Sequence, residues 1–498
     1  MPSLESASVP RRWWALGAIA VALLTVGLDV TVLHVALPTL ATGLGASTTE
    51  LQWFANAYTL VLAAGLLPAG MLGDRFGRKR MFLGALAVFG VASVGCAFAG
   101  SAELLIVARV ALGVGAAFMI PLSISLLRVL FSDAERPRAI ALWTTATTVG
   151  IPLGPVLGGW LLDHYWWGSV FLINVPLVVV GAVAIAWLVP STPGSGRRPV
   201  DFVGVGLSSA GLVALTYGLT AAGSLGWTAA TAVPVLAGAA LLTGFVLWLR
   251  RARHPLVDLD LFRSTGFASG ATLATLASFT MMGAIFVLPQ YFQAMWDTDA
   301  FGTGLRLLPV IGGLLVGVQV GERLLAPLGE KAVVAAGFVL MAAGLLIGAT
   351  AAVGDGYGFA AGWMAVAGLG LGLALPPAMN AAIGALAAED SGVGGGLVHA
   401  LRQVGGTLGV AVLGTALNAS YRSTVDASGV SGSDAGAVLD TAAAGLRVAR
   451  TEDSQRLADS VREAFSNGMS TLLVLCAVVM LGGAVLAVAV LPTRAVNS

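Results

Sequence analysis

One acidic residue stands in the middle of a long apolar run near the start of the chain, in Gly27-Leu28-Asp29-Val30-Thr31-Val32-Leu33-His34-Val35-Ala36-Leu37-Pro38. An ionised carboxylate in hydrocarbon is costly unless it is paired or faces water, so Asp29 is a functional candidate by default. The alternative is a structural carboxylate that is hydrogen-bonded once and never titrates. Burial and a nearby cation act on its proton affinity in opposite senses, so that affinity can follow conformation. The cation expected beside it is Arg109, itself inside an apolar run, Arg109-Val110-Ala111-Leu112-Gly113-Val114-Gly115-Ala116-Ala117. At 1.5 Å per helical residue, Asp29 lies about 16 Å and Arg109 about 9 Å below the same membrane face, a gap a long arginine side chain largely covers. His34 falls at about the depth of Arg109. It is either a satisfied polar group or a pH-sensitive one.

A second candidate is Gly70-Met71-Leu72-Gly73-Asp74-Arg75-Phe76-Gly77-Arg78-Lys79-Arg80, where five charges within seven residues separate two apolar runs. Such density belongs in a short turn at the membrane surface, with Gly73 and Gly77 permitting the tight backbone. Arg75, Arg78, Lys79 and Arg80 mark that surface as cytoplasmic. Topology alone has no use for Asp74, which sits near where the run after Glu389-Asp390-Ser391-Gly392 begins and could latch to that helix N-terminus. A third candidate is Gly150-Ile151-Pro152-Leu153-Gly154-Pro155-Val156-Leu157-Gly158-Gly159. Gly150, Gly154 and Gly158 line one helix face and form a groove for close helix packing, with Pro155 set to bend the helix.

The elements that must position these groups are membrane helices. Of the 498 residues, 57% are hydrophobic and 10% charged, with mean hydropathy +0.90. A soluble domain carries roughly 25% charged residues, so the chain is an all-α integral membrane protein. At about 20 apolar residues per span, fourteen spans are expected, approximately 13–40, 50–72, 80–99, 102–127, 138–162, 168–189, 200–222, 229–250, 267–290, 305–325, 331–352, 358–386, 394–418 and 469–491. An even number puts both termini on one side. Nineteen of the 26 Lys and Arg residues fall on that side, which makes it the cytoplasm.

Cys96 and Cys476 both lie in apolar runs and read as packing residues. A net charge of +1 gives no reason to expect nucleic acid. His34, His164, His254 and His399 are scattered, so no metal site and no cofactor are expected, and a membrane enzyme is disfavoured. The linkers Pro190–Pro199 and Arg250–Ser264 bracket the seventh and eighth spans. They divide the chain into a six-helix bundle at 1–189, a linker with two extra spans at 190–264, and a second six-helix bundle at 265–498. Gly321 to Lys331 is a decayed echo of the charged turn, with Gly329 its clearest survivor. Within the long external loop 419–467, Ala435–Val448 and Ser454–Phe465 have helical spacing, consistent with a hairpin or with a partly disordered loop.

The charged turn resembles the G-x-L-a-D-R-x-G-R-[KR]-[KR] signature of the major facilitator superfamily. The runs around Asp29, Arg109 and Gly150–Gly159, with Trp166–Pro176, are similar to the motifs of its fourteen-span drug:proton antiporters. His34 and Leu112 depart from those motifs, standing where asparagine and glutamine are usual. The resemblance implies the major facilitator fold, proton coupling through Asp29 and Arg109, and antiport through the Gly150–Gly159 stripe. It further implies proton-coupled, multi-pass export of hydrophobic drugs or antibiotics across a bacterial inner membrane, by a monomer in contact with lipid. An importer or facilitator on the same fold is the alternative. Substrate is expected between the halves, neutral or cationic, with Asp29 and Phe286 the candidate contacts. Rigid dications are expected to be poor substrates, since Asp29 is the single deep carboxylate.

Overall fold

The structure is a computed structural model describing residues 9–491 apart from 133–134, 192–200, 254, 353, 387–390, 429 and 431–432; some further helical side chains, Asp74 among them, lie outside the described set. Among the described residues the regular elements are helical, and eleven helices are long and apolar enough to cross a membrane.

The first group is α1 (Val9–Gly43), α2 (Thr48–Phe76), α3 (Arg78–Ala97), α4 (Ala102–Leu130), α5 (Arg136–His164), the short α6 (Ser169–Leu172) and α7 (Asn174–Leu188). Next come α8 (Phe202–Leu225), α9 (Ala229–Leu249) and a 3₁₀ turn at Leu259–Arg263. The last group is α10 (Thr265–Trp296), α11 (Ala300–Arg306), α12 (Leu308–Ala349), α13 (Tyr357–Gly384), α14 (Ser391–Thr424), α15 (Ser433–Asp440), α16 (Ala442–Thr451) and α17 (Gln455–Val490). Polar residues before the apolar runs start several of these helices. Ser47 and Glu50 form a capping box on α2, Ser101 caps α4 and Ser454 caps α17, each cap contributing about 1 kcal/mol.

The two large groups have separate cores, each borrowing from the other. Phe286 and Val410 of the second group pack in the first core, and Val35 of α1 packs in the second. The pair α8–α9 packs on itself, and α8 also leans on α2 and α14. There Trp53 and Tyr217 have ring centroids 6.3 Å apart, and Thr415 donates to the Leu219 carbonyl at 2.9 Å. Large apolar side chains such as Val91, Val179, Leu236 and Val485 remain exposed on the outer helices, as a lipid-facing surface requires.

Several boundaries differ from the sequence expectation. The charged turn shrinks to one residue, Gly77, at φ 96° and ψ 121°, and α2 stays helical through Asp74 and Arg75. Gly329, at φ 77° and ψ 161°, plays the same part inside α12. Both backbones are open to glycine because it lacks a Cβ. The helix expected over Ala435–Val448 is split, because the Thr441 hydroxyl caps a new helix by accepting from Ala444 N at 3.0 Å. The expected external helix at Ser454–Phe465 and the last span are one continuous helix, α17. The basic linker is packed, with Leu256, Val257 and Leu261 buried against Phe267, Leu397 and Val398. Asp201 fastens it. Its carboxylate accepts from Gly204 N at 2.8 Å, Trp248 Nε1 at 2.9 Å and Leu256 N at 3.1 Å.

Candidate functional site

Asp29 and Arg109 meet. Arg109 Nη1 donates to Asp29 Oδ2 at 2.5 Å, and both side chains are sealed, with 0% and 1% of their surface exposed. Arg109 is held twice more: its Nε donates to the Phe54 carbonyl at 2.9 Å, and its guanidinium carbon lies 4.6 Å from the Tyr58 ring centroid. α1, α2 and α4 therefore converge on one ion pair. A buried pair of this kind is weak evidence for stability, since desolvating both charges offsets their attraction, but breaking it is costly. That makes it suited to a switch. Asp29 Oδ1 has no hydrogen-bond partner. Asn174 of α7 lies near the same carboxylate, yet both of its amide atoms are buried outside hydrogen-bond geometry.

His34 comes to the same place. With Arg109, Tyr58, Thr59, Met282 and Gly406 it lines a narrow cavity of about 10 Å³ between the two groups of helices, and its Nδ1 has no partner. That is room for one water, so a drug-sized molecule needs the halves to separate. Phe286 does not line it; its side chain is fully buried in the first core. Sequence reasoning missed the polar face of α2. Gln52, Asn56 and Thr59, spaced i, i+4 and i+7, lie along the seam with α14. Thr59 Oγ1 meets Thr407 Oγ1 at 2.8 Å, while both amide atoms of Asn56 and Gln52 Oε1 are buried without partners. The 3.6-residue period of polar residues in an apolar run was the available signal.

The glycine stripe has two sides. Gly150, Gly154 and Gly158 seat α5 against α1: a Cβ on Gly150 would lie 3.1 Å from the Leu24 carbonyl oxygen, one on Gly154 3.1 Å from that of Leu28, and Gly158 faces Val32. These contacts bracket Asp29. Gly159 and Pro155 face the other way, against Ala300–Phe301 and Gly304 of α11. α5 remains one helix through Pro155. At its end the Asp163 carboxylate accepts from Ala300 N at 3.1 Å and Phe301 N at 3.0 Å.

In the charged turn, Gly73 packs against Leu122, and a Cβ on Gly70 would meet nothing within 4 Å. Arg78 Nη1 reaches the Ser125 carbonyl at 3.4 Å, and the Arg75 guanidinium lies 5.4 Å from the Phe76 ring centroid. The Asp74 latch falls on a side chain outside the described set.

A larger cavity of about 400 Å³ lies toward the α15–α16 end, with Thr39, Thr42, Gln290, Gln293, Thr298 and Arg447 in its wall. Gln293 Nε2 donates to the Val35 carbonyl at 3.2 Å, and Thr48 donates to the Asp440 carbonyl, so the two halves are tied there. Among the described residues no cluster of His, Cys, Asp and Glu could hold a metal ion.

Residues 19–410 match the profile described as Major Facilitator Superfamily. The tetracenomycin C resistance and export protein of Streptomyces glaucescens is 35% identical over 406 residues, 81% of this chain and 76% of its own. The multidrug efflux pump LfrA of Mycolicibacterium smegmatis is 34% identical over 484 residues, 95% of each chain. The methyl viologen resistance protein SmvA of Salmonella typhimurium is 33% identical over 419 residues, 83% of this chain and 84% of its own. In structure, a bacterial homolog of the human lysosomal transporter Spinster, inward-facing and unoccupied, superposes with TM-score 0.71 over 97% of both chains at 15% identity, a likeness of fold alone.

Proposed function

The chain belongs to the major facilitator superfamily of membrane transporters, and from that premise we propose that it exports hydrophobic drugs or antibiotics across the bacterial inner membrane in exchange for protons. The observation that carries the reading is the sealed Asp29–Arg109 pair, held on α1 by the glycine face of α5. Protonating Asp29 removes the charge that holds Arg109, so the pair's geometry changes with proton occupancy. Inward proton movement supplies about 2.3 kcal/mol per charge per 100 mV. The drug and antibiotic relatives, two of them named for export or efflux, support the direction.

We read fourteen crossings. To the eleven apolar helices are added α2, α5 and the second half of Ala300–Ala349, which Gly329 joins to the first. The bundles are 1–189 and 265–498, with two extra crossings within 190–264, and both termini are cytoplasmic. Single cysteines at Ser195 and Ser431, in a background lacking Cys96 and Cys476, are expected to react oppositely with an impermeant thiol reagent. Equal labelling from outside would sink this topology. Asp74, with Gly70, Gly73, Arg75, Gly77 and Arg78 around it, is assigned to a cytoplasmic latch between the halves. Asp74→Asn is then expected to slow transport in a folded protein; unchanged transport and unchanged inward and outward populations would remove the latch.

The substrate is neutral or singly charged and amphipathic. Methyl viologen, named for one relative, is a rigid dication. In this chain Asp29 is committed to Arg109, which leaves no deep carboxylate among the described residues for such a molecule. The deciding experiment is substrate uptake into inverted vesicles under an imposed proton gradient. Drug accumulation that collapses with the gradient and is lost in Asp29→Asn supports the reading. Accumulation that ignores the gradient, or survives in the mutant, overturns proton coupling through Asp29.

A further inference from the structure

A second arginine lies inside the bundle, and among the described residues no acid answers it. Arg402 of α14 is enclosed by α10 and α13: its Nε donates to Ser278 Oγ at 3.0 Å and its Nη1 contacts Met379 Sδ at 3.3 Å. Among the described residues no carboxylate approaches it within ion-pair distance. A guanidinium has five N–H donors in a planar fork, and two neutral partners leave most of them unused. The hydrogen bonds described for Arg402 use Nε and Nη1 only, and the residue is half-buried. His399 lies three residues earlier on the same helix face and is half-buried like Arg402. Gly406, one turn further along α14, and Met282, one turn beyond Ser278, line the central cavity. The Arg402–His399 face therefore sits about 6 Å from that cavity along the helix, toward the end where α14 begins.

The charge balance of the passage gives the sign. Asp29 and Arg109 cancel, so the uncompensated deep charge among the described residues is the Arg402 cation. We propose that Arg402, with His399 as a second donor, recognises a single anionic oxygen group, a carboxylate or phenolate, on the exported amphipathic substrate. Planar forked donors match such groups bidentately. The anion meets this face on its way to the central cavity, and its aromatic or aliphatic body contacts the Met379 and Met282 side of the path. The proposal rests on the drug-export reading above and narrows its substrate class.

The test uses two fluorescent probes on one tricyclic scaffold, 9-anthracenecarboxylate and 9-anthracenecarboxamide, with full-length protein. Binding is measured in nanodiscs and transport in proteoliposomes, for wild type, Arg402→Gln and Arg402→Lys. Wild type is expected to bind the carboxylate about tenfold or more tighter than the amide, the usual worth of a charge-assisted bond. Arg402→Gln is expected to erase that preference while amide binding stays within about twofold, and Arg402→Lys to keep part of it, as a charge without the fork would. No preference in wild type, or equal loss of both probes in Arg402→Gln, overturns the proposal. Transport separates the two readings. A carboxylate preference in binding with no transport of either probe leaves the anion site standing and removes export of this class. Transport of both probes without preference removes the anion site and leaves export standing.

Discussion

Asp163, at the last turn of α5, caps the backbone of Ala300 and Phe301 at the start of α11 across the boundary between the two helix bundles, at 3.1 and 3.0 Å. Just inside it, Gly159 and Pro155 bring α5 against the same helix. Asp163→Ala is expected to loosen this end of the molecule. For two partly solvated charge-assisted bonds the effect is about 1 kcal/mol, a shift of about fivefold toward the state open at that end. Spin labels placed across α5 and α11 would register it as a longer distance population. An unchanged distribution would show that the glycine contact alone holds the seam.

The buried ion pair makes a prediction about stability that differs from the one about transport. Removing either partner of such a pair typically costs 3–5 kcal/mol, or roughly that order, because the survivor is left charged and dry. Asp29→Asn and Arg109→Gln are each expected to lower the melting temperature of the purified protein. The double variant is expected to recover much of that loss and to remain uncoupled. If its stability loss equals the sum of the two single losses, the two groups do not interact energetically.

Glycines that look alike in sequence are expected to behave differently. A Cβ at Gly154 meets the Leu28 carbonyl at 3.1 Å and the Thr31 side chain, whereas one at Gly70 meets nothing within 4 Å. Gly154→Val should displace α1, and with it Asp29, abolishing transport; Gly70→Ala should leave folding stability unchanged to within about 0.5 kcal/mol. Transport assays on protein matched for membrane expression decide it, and an active Gly154→Val would end the seating role of the stripe.

The loop that follows α14 carries a local pH marker. Asp426 is held down to about 2, chiefly by Ser428, whose hydroxyl and backbone N–H bond its carboxylate, and then by Arg456. A carboxylate whose folded value is depressed stabilises the folded loop fully above its unfolded value, about 3.9, and that contribution is lost as pH falls through about 2. Resistance of the loop to pepsin should therefore hold at pH 4 and weaken between pH 4 and pH 2. In Asp426→Asn that step should vanish; a step of the same size would assign it to another group.

What the sequence made legible follows from which forces act locally. A charge inside an apolar run is conspicuous because hydrocarbon penalises it, so Asp29 and Arg109 could be found, and depth arithmetic alone brought them within reach. A glycine face announces that some helix comes close but not which one, so the partners of α5, α1 on one side and α11 on the other, were hidden. The carboxylates of Asp201 and Asp163 were passed over because their work is capping, and apart from Gly204 their partners lie 47–55 and 137–138 residues away. Thr441 splits α15 from α16 through one hydroxyl, which periodicity does not weigh. The opposite error came at residues 466–468, where Ser466, Asn467 and Gly468 suggest a break. Instead Ser466 donates to the Ala351 carbonyl at 3.1 Å, Gly468 packs on the backbone of Leu417, and the helix continues.

The continuity of α17 has a mechanical side. Its 36 residues make a rod about 54 Å long, while the hydrocarbon layer is about 30 Å thick. Some 24 Å therefore stand clear of the lipid as a stiff mast, and α16 packs against it. When the second bundle rocks by about 10° around its midplane, the exposed tip, about 39 Å away, sweeps about 7 Å on this geometry. A motion generated deep in the bilayer is thus carried beyond the lipid by leverage rather than by a chain of contacts. A rigid antibody fragment clasping the mast to α1 and α2 would act as a brake on the cycle, applied at the lipid surface without entering the membrane.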